Sequence, residues 1–198
     1  FNTCPGPPIR QLVAKNMAAL YALGDILSLH ATIDRCNALL KSREHETQLQ
    51  QMAKLCALNV LGALYERLGR LCGTSYEETV QILVRYMKSA DSLVRIEIVQ
   101  TFEKILCGLG TAGASVHKDI YKQLKALVQD RALEVRYTSI KCLCEMMKHS
   151  TFLYSSGQVA SLAASVSGGG SSGHASAGGG GSASMLAISG GSAGGTSV

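Results

Sequence analysis

The stretch CGLGTAGASVHKD, Cys107 to Asp119, holds residues whose types and spacing suggest chemistry. Gly108, Gly110 and Gly113 match G-x-G-x-x-G, and Asp130 follows Gly110 by 20 positions. In a dinucleotide site such glycines let the backbone approach a pyrophosphate, a helix N-terminus holds the anion, and the acid takes the ribose. That chemistry needs a strand before the loop. The preceding text, VRIEIVQTFEKILCGLG, instead spaces Val94, Ile98, Val99, Phe102, Ile105, Leu106 and Leu109 in steps of three and four. This is one stripe of a helix. The glycines therefore read as punctuation: one closes a helix, and Ser115 starts the next. Gly69, in ERLGRLCGTS and 41 residues before Gly110, ends its helix the same way with no fingerprint.

Other reactive side chains are equally bland in their spacing. Seven cysteines occur, at 4, 36, 56, 72, 107, 142 and 144. Most fall at apolar positions of helical patterns, where Cys packs as a small hydrophobe. An odd count without paired spacing argues against a disulfide framework and for reduced thiols in a cytosolic protein. Cys142 and Cys144 are too close for a zinc pair and have no second pair. His30, His45, His117, His149 and His174 form no ligand spacing. Glu77 and Glu78 lie in a first helical turn, where the helix dipole favours carboxylates. No nucleophile elbow is present. We therefore expect no catalytic residue, no cofactor and no metal. Nucleic acid is disfavoured because Lys and Arg are spread among acids and the tyrosines do not interleave with a basic ladder.

The elements that would position any site are helical. The chain has 198 residues, 46% hydrophobic, with no Trp and only 3 Phe. Such a mixture suits helices packed on helices. A start at Phe1 rather than at methionine suggests a piece of a longer chain. No leader pattern opens it, and no apolar run approaches about 18 uncharged residues, so we expect no membrane span. The net charge of +5 is compatible with an acidic partner or a membrane surface and demands neither. After Tyr154 the text is Gly/Ser-rich and uncharged. We expect residues 155–198 to be a flexible tail with two short apolar patches, around Leu162 and Met185.

The helical text repeats. Lys54, Arg95 and Arg136 stand at successive steps of 41, and Arg10 lies 44 before Lys54. Four positions on are Ala14, Leu58, Val99 and Ile140. Seven on are Met17, Leu61, Phe102 and Leu143, and ten on are Leu20, Leu64, Ile105 and Met146. A preceding helix is visible before each: GDILSLHATIDRCNALLKS, SYEETVQILVRYMKSA (with a capping box of Ser75 and Glu78) and VHKDIYKQLKALVQD. A period of about 40 with two helices per unit marks a HEAT or armadillo-type array. The spacing predicts an all-α fold: a right-handed α-α superhelix of about four helix pairs within residues 9–154, after a lead-in of residues 1–8.

SADSLVR and DRALEVR share an Asp followed by Val-Arg. They resemble the HEAT consensus, and the resemblance implies that Asp91, Arg95, Asp130 and Arg136 form a structural ladder between units. The second helix of each pair commonly lines the concave, partner-binding side in such arrays. Its exposed polar positions here are Glu66, Arg67, Arg70, Glu103, Lys104, Lys141, Glu145 and Lys148, a rim of mixed sign. Further segments, RQLVAKNMAALYALGD, DRCNALLKS, GALYERLGRLCGTSYEETV, LCGLGTAGASVHKDIYK and EVRYTSIKCLCEM, resemble the HEAT-repeat-containing protein 5 family. That resemblance implies a non-enzymatic cytosolic scaffold working with clathrin adaptor protein complex 1 and its accessory proteins. The setting would be traffic between trans-Golgi network and endosomes, including endocytosis and retrograde transport, with membrane contact only through partners. A generic HEAT-repeat adaptor for a motor or membrane complex, or a nucleic-acid-binding repeat protein, are the alternatives. The family continues into further units after STFLYSS, whereas this chain turns to Gly/Ser text. Leu143, Met146 and Met147 are then expected on an uncapped apolar face.

Overall fold

The computed structural model describes residues 6–24, 26–42, 47–88, 90–151 and 153. The expected tail, 155–198, and residues 1–5 of the lead-in lie outside the described residues. Among the described residues seven α-helices follow one another: α1 (Pro7–Tyr21), α2 (Ile26–Lys41), α3 (Gln48–Leu68), α4 (Ser75–Met87), α5 (Ser92–Leu109), α6 (Ala114–Leu127) and α7 (Leu133–His149). Single 3-10 turns, Gly69–Cys72 and Gly110–Gly113, join α3 to α4 and α5 to α6. No strand occurs among the described residues.

The helices pack in two rows. α1, α3, α5 and α7 stack side by side in one row, and α2, α4 and α6 in the other. Three hairpins result, α2/α3, α4/α5 and α6/α7. The expected four pairs are thus three pairs and α1, which joins the odd row without a described partner of its own. Helix α1 also begins earlier than expected, at Pro7 rather than at Ile9. Proline fits the first turn because its missing N–H has no acceptor there anyway.

The 41-residue equivalence is visible in the packing. Leu58 and Val99 are buried, as are Leu61, Phe102 and Leu143, and Leu64, Ile105 and Met146. These side chains close one continuous core between the rows. Position by position the repeat fails only at the two end helices. Ile140 and Leu20 are exposed, and Met17 is half-buried, although Ala14 is buried. An interior odd helix has odd-row neighbours on both flanks, whereas among the described residues α1 and α7 each have one. Leu143 and Met146, expected on an uncapped face, instead point into the core, and Met147 is half-buried. The outward side of α7 is lined by Leu133, Tyr137 and Ile140.

Local chemistry fixes the helix ends. Ser75 is the first residue inside α4 rather than its cap, and Thr74, the residue before it, makes no side-chain capping bond. The capping box lies instead at α3, where Thr47 Oγ1 accepts from Gln50 N and Gln50 Oε1 accepts from Thr47 N at 3.0 Å. Asp91 caps α5 by accepting from Val94 N at 2.8 Å. Gly110, at φ +54, closes α5 with its N–H on Leu106 O. Two glycines serve a second purpose. A methyl group on Gly108 would lie 1.8 Å from Tyr65 O, and one on Gly69 would lie 2.2 Å from Gly108 O. The C-terminal ends of α3 and α5 therefore touch backbone to backbone, an approach open only to glycine.

Polar groups inside the stack are linked across helices. Tyr65 donates its hydroxyl to Thr79 Oγ1 (2.8 Å), which donates to Asn37 Oδ1 (3.1 Å), so α3, α4 and α2 share one relay. Thr101 Oγ1 lies 3.2 Å from Leu58 O, tying α5 to α3.

Candidate functional site

The consensus-like charges sit where successive hairpins join. Arg95 Nε lies 3.1 Å from Asp130 Oδ2, and Arg95 Nη2 donates to Asp130 Oδ1 at 3.2 Å. The same carboxylate accepts from Ala132 N at 2.9 Å, just before α7. Arg136 turns back to its own junction and donates to Asp130 O (2.9 Å) and Arg131 O (3.2 Å). Asp91 Oδ2 accepts from Gln51 of α3 at 3.3 Å. At the position equivalent to Arg95 stands Lys54, whose ammonium donates to Ser42 O at 2.8 Å and lies 5.2 Å from the centre of the Tyr86 ring. The Arg95–Asp130 rung joins the second hairpin to the third. A charge-assisted bond of this kind contributes about 1.5–3 kcal/mol. Arg95→Ala should therefore lower unfolding stability by about 2 kcal/mol, read from urea denaturation midpoints.

The expected rim lies along the odd row. Glu66, Arg67 and Arg70 are exposed at the end of α3 and in the turn after it. Glu103 and Lys104 are half-buried on α5, Glu145 is half-buried on α7, and Lys141 and Lys148 are exposed there. Some of these charges satisfy one another. Lys141 Nζ lies 3.1 Å from Glu103 Oε1 across the α5–α7 seam, and that carboxylate raises the lysine's pKa. Glu145 receives Lys148 at 2.5 Å and His149 at 3.1 Å. Lys148, then His149 and Cys107, hold its carboxyl below the usual range. The stem of Lys104 covers Gly62 of α3. Arg67, Arg70 and Lys104 make no ion pair among the described residues, and of these the two arginines are exposed.

Cysteine chemistry is subdued here. Cys36, Cys72 and Cys142 are buried. Cys107 is exposed, yet the helix flanks around its sulfur withdraw water from a thiolate and the Glu145 carboxylate opposes it, so its pKa rises to about 11. At pH 8 such a thiol holds roughly a hundredfold less thiolate than an ordinary cysteine. Iodoacetamide should accordingly label Cys107 far more slowly than a model peptide, as followed by peptide mass spectrometry. Among the described residues no group of three or more His, Cys, Asp or Glu could hold a metal ion. Among them too, no helix is long and apolar enough to cross a membrane.

A second polar cluster on the odd row was not readable from sequence. Arg10 of α1 reaches Glu97 Oε1 of α5 at 3.1 Å, and Asn59 of α3 donates to Glu97 Oε2 at 3.0 Å. Arg10 is buried and Glu97 largely so, with side chains 6% and 13% exposed. Three helices are therefore pinned to one carboxylate. Arg10 carries a weak hint, since it begins the repeat as Lys54 and Arg95 do and a buried cation requires an anion. Its partner lies 87 residues away, and no spacing rule reaches that far.

No protein-family model matches this chain, and no solved structure matches it.

Proposed function

We propose that the chain is a non-enzymatic scaffold that grips other proteins along its odd-numbered helices. The observation that carries this reading is the stacking of α3, α5 and α7 at a constant 41-residue step. Hairpins repeated in this way leave one row of helices as a continuous surface. The odd helices meet one another more extensively than the even ones do, which supports reading theirs as the inner side of a right-handed HEAT/armadillo-type superhelix. The Arg95–Asp130 rung and the bond from Gln51 to Asp91 link successive hairpins as the HEAT consensus implies, while Arg136 bonds only carbonyls of its own junction.

The specific role follows from the resemblance to the HEAT-repeat-containing protein 5 family. The partners are then clathrin adaptor protein complex 1 and its accessory proteins. The place is the cytosolic face of trans-Golgi network, endosomes and endocytic vesicles, reached through those partners rather than by a lipid anchor. Arg67 and Arg70, the exposed unpaired cations of the rim, offer themselves to an acidic segment of such a partner.

The test uses the tagged full chain as bait in cytosol. Adaptor subunits should be retained, and the double variant Arg67→Glu, Arg70→Glu should lose most of them while its circular dichroism stays helical. Retention by the double variant would remove the assignment of this face. Absence of adaptor subunits from the wild-type capture, with other proteins crosslinked to the odd row instead, would favour a generic repeat adaptor over the trafficking role.

A further inference from the structure

We propose that the Gly110–Gly113 turn is an acid-sensitive catch: a proton on His117 frees this turn and the start of α6 from the stack while α3 and α5 stay folded.

Three elements meet at the catch. His117 stands in the first turn of α6 and is 2% exposed. Its Nε2 has no hydrogen-bond partner among the described residues. That nitrogen faces the turn, because a methyl group added to Gly113 would lie 3.7 Å from it. One added to Gly110 would lie 3.6 Å from Nδ1 of His149, at the end of α7. The first and last glycines of the turn thus each lie against one imidazole.

A buried ring nitrogen without a partner is tolerated best as a bare lone pair. Neutral imidazole has one donor and one acceptor, whereas the imidazolium has two donors. The added N–H would be buried with no acceptor, and a buried unpaired charge is costly. The neighbours give little relief. From α7, His149 opposes a second positive charge, and its own partner Glu145 already receives His149 at 3.1 Å and Lys148 besides. From α5, Cys107 bonds that same carboxylate. From α4, Tyr76 lies 3.2 Å from Ser115 Oγ and donates to Ala112 O at 3.3 Å, while Glu77 accepts from Ser115 at 2.7 Å. On α6 itself Lys118 and Asp119 are exposed, and burial raises the pKa of Tyr121, which stays neutral. The Gly110 backbone favours the cation, but burial outweighs it and the His117 pKa falls below the usual 6.5.

The sign of the response follows. Once released, His117 takes a proton near pH 6.5, before the packed ring does, so acid favours the open form. Opening should be indifferent to pH above that value and gain at most about tenfold per pH unit below it. The release is local because, among the described residues, α6 packs chiefly on α4, α7 and the turn, whereas α3 and α5 hold each other along their own seam. The catch is independent of the cargo assigned above.

Amide exchange of the full chain from pH 7.5 to 5.5, scaled by the intrinsic rate at each pH and read by mass spectrometry, tests this. Amides of residues 110–118 should lose protection several-fold below pH 6.5, while those of residues 58–65 in α3 keep theirs. His117→Gln, neutral at every pH, should remove the response. His149→Gln changes a half-buried side chain, should keep the fold, and should weaken the response without abolishing it. Protection at the turn that does not change with pH overturns the proposal, as does a response that His117→Gln retains. Loss of protection in α3 and α5 in step with the turn also overturns it, since that is general acid unfolding. If His117→Gln does not fold, the His117 ring proton followed by NMR decides. It should titrate below pH 6.5 in the wild type and move upward in His149→Gln. A wild-type midpoint at or above 6.5, or one unmoved in that variant, refutes the catch.

Discussion

Replacing Gly108 by alanine should cost about 3 kcal/mol or more of unfolding stability, against the sign expected from helix propensity. Gly108 sits in the last turn of α5, and in an isolated helix alanine there would gain about 1 kcal/mol. In this fold the added methyl would lie 1.8 Å from Tyr65 O and 2.6 Å from Tyr65 C. Both are backbone atoms, so no side chain can swing aside. The two helices would have to separate, and the Thr101–Leu58 bond and the core seam would open with them. Gly69→Ala should be comparably damaging, because it meets Gly108 O at 2.2 Å and also holds φ at +36. Gly62→Ala is the control. Its methyl would meet only Lys104 Cδ at 2.8 Å, the flexible stem of a side chain, so helix propensity should roughly cancel the crowding. The measurement is urea denaturation followed by circular dichroism. A Gly108→Ala protein as stable as the wild type would show that α3 and α5 do not meet backbone to backbone.

Glu97→Ala should be nearly as destructive for an electrostatic reason. Removing one member of a buried ion pair typically costs about 3–5 kcal/mol, because the remaining charge keeps its desolvation penalty. Here the carboxylate serves Arg10 at 3.1 Å and Asn59 at 3.0 Å, so its loss takes the counter-charge from a buried guanidinium and one acceptor from an amide, on two other helices. Glu97→Gln should fall between, since it keeps the volume and an oxygen but not the charge. The double variant Arg10→Met, Glu97→Met separates charge from shape. It should recover most of the loss, as apolar replacement of a buried pair is often close to neutral. If Glu97→Ala were nearly silent while Arg10→Ala was severe, the pair would not be the pin that joins α1 to α5.

Those two sites show different degrees of legibility. Gly108 stood in plain view inside a G-x-G-x-x-G match, and the helical stripe before it excluded a phosphate loop. Its actual use, a close approach to Tyr65 O, involves a residue 43 positions earlier and leaves no local trace. Glu97 was less visible still, for it looks like any exposed acid on an amphipathic helix. The charged positions lie on the odd helices or, for Arg70, in the turn after α3, and Glu103, Lys104 and Glu145 are half-buried rather than exposed. Sequence could not say that Glu103 is spent on Lys141 and Glu145 on Lys148, leaving Arg67 and Arg70 as the rim's exposed cations without an ion pair among the described residues. The Ser75 box failed because Ser75 already lies inside α4, and one residue of phase decides whether a side chain can reach back to its own helix.

What the sequence by itself determined is the alphabet of the fold. Apolar steps of three and four make helices, and steps of 41 make those helices interchangeable, because both depend on side-chain spacing along one continuous backbone. What only the tertiary structure decided is which equivalent positions are covered. Ile140 and Leu20 carry the same pattern as Val99 and Ile105, yet they are exposed while the latter are buried. Burial depends on a neighbouring helix being present, and a residue's own segment cannot encode whether one stands beside it.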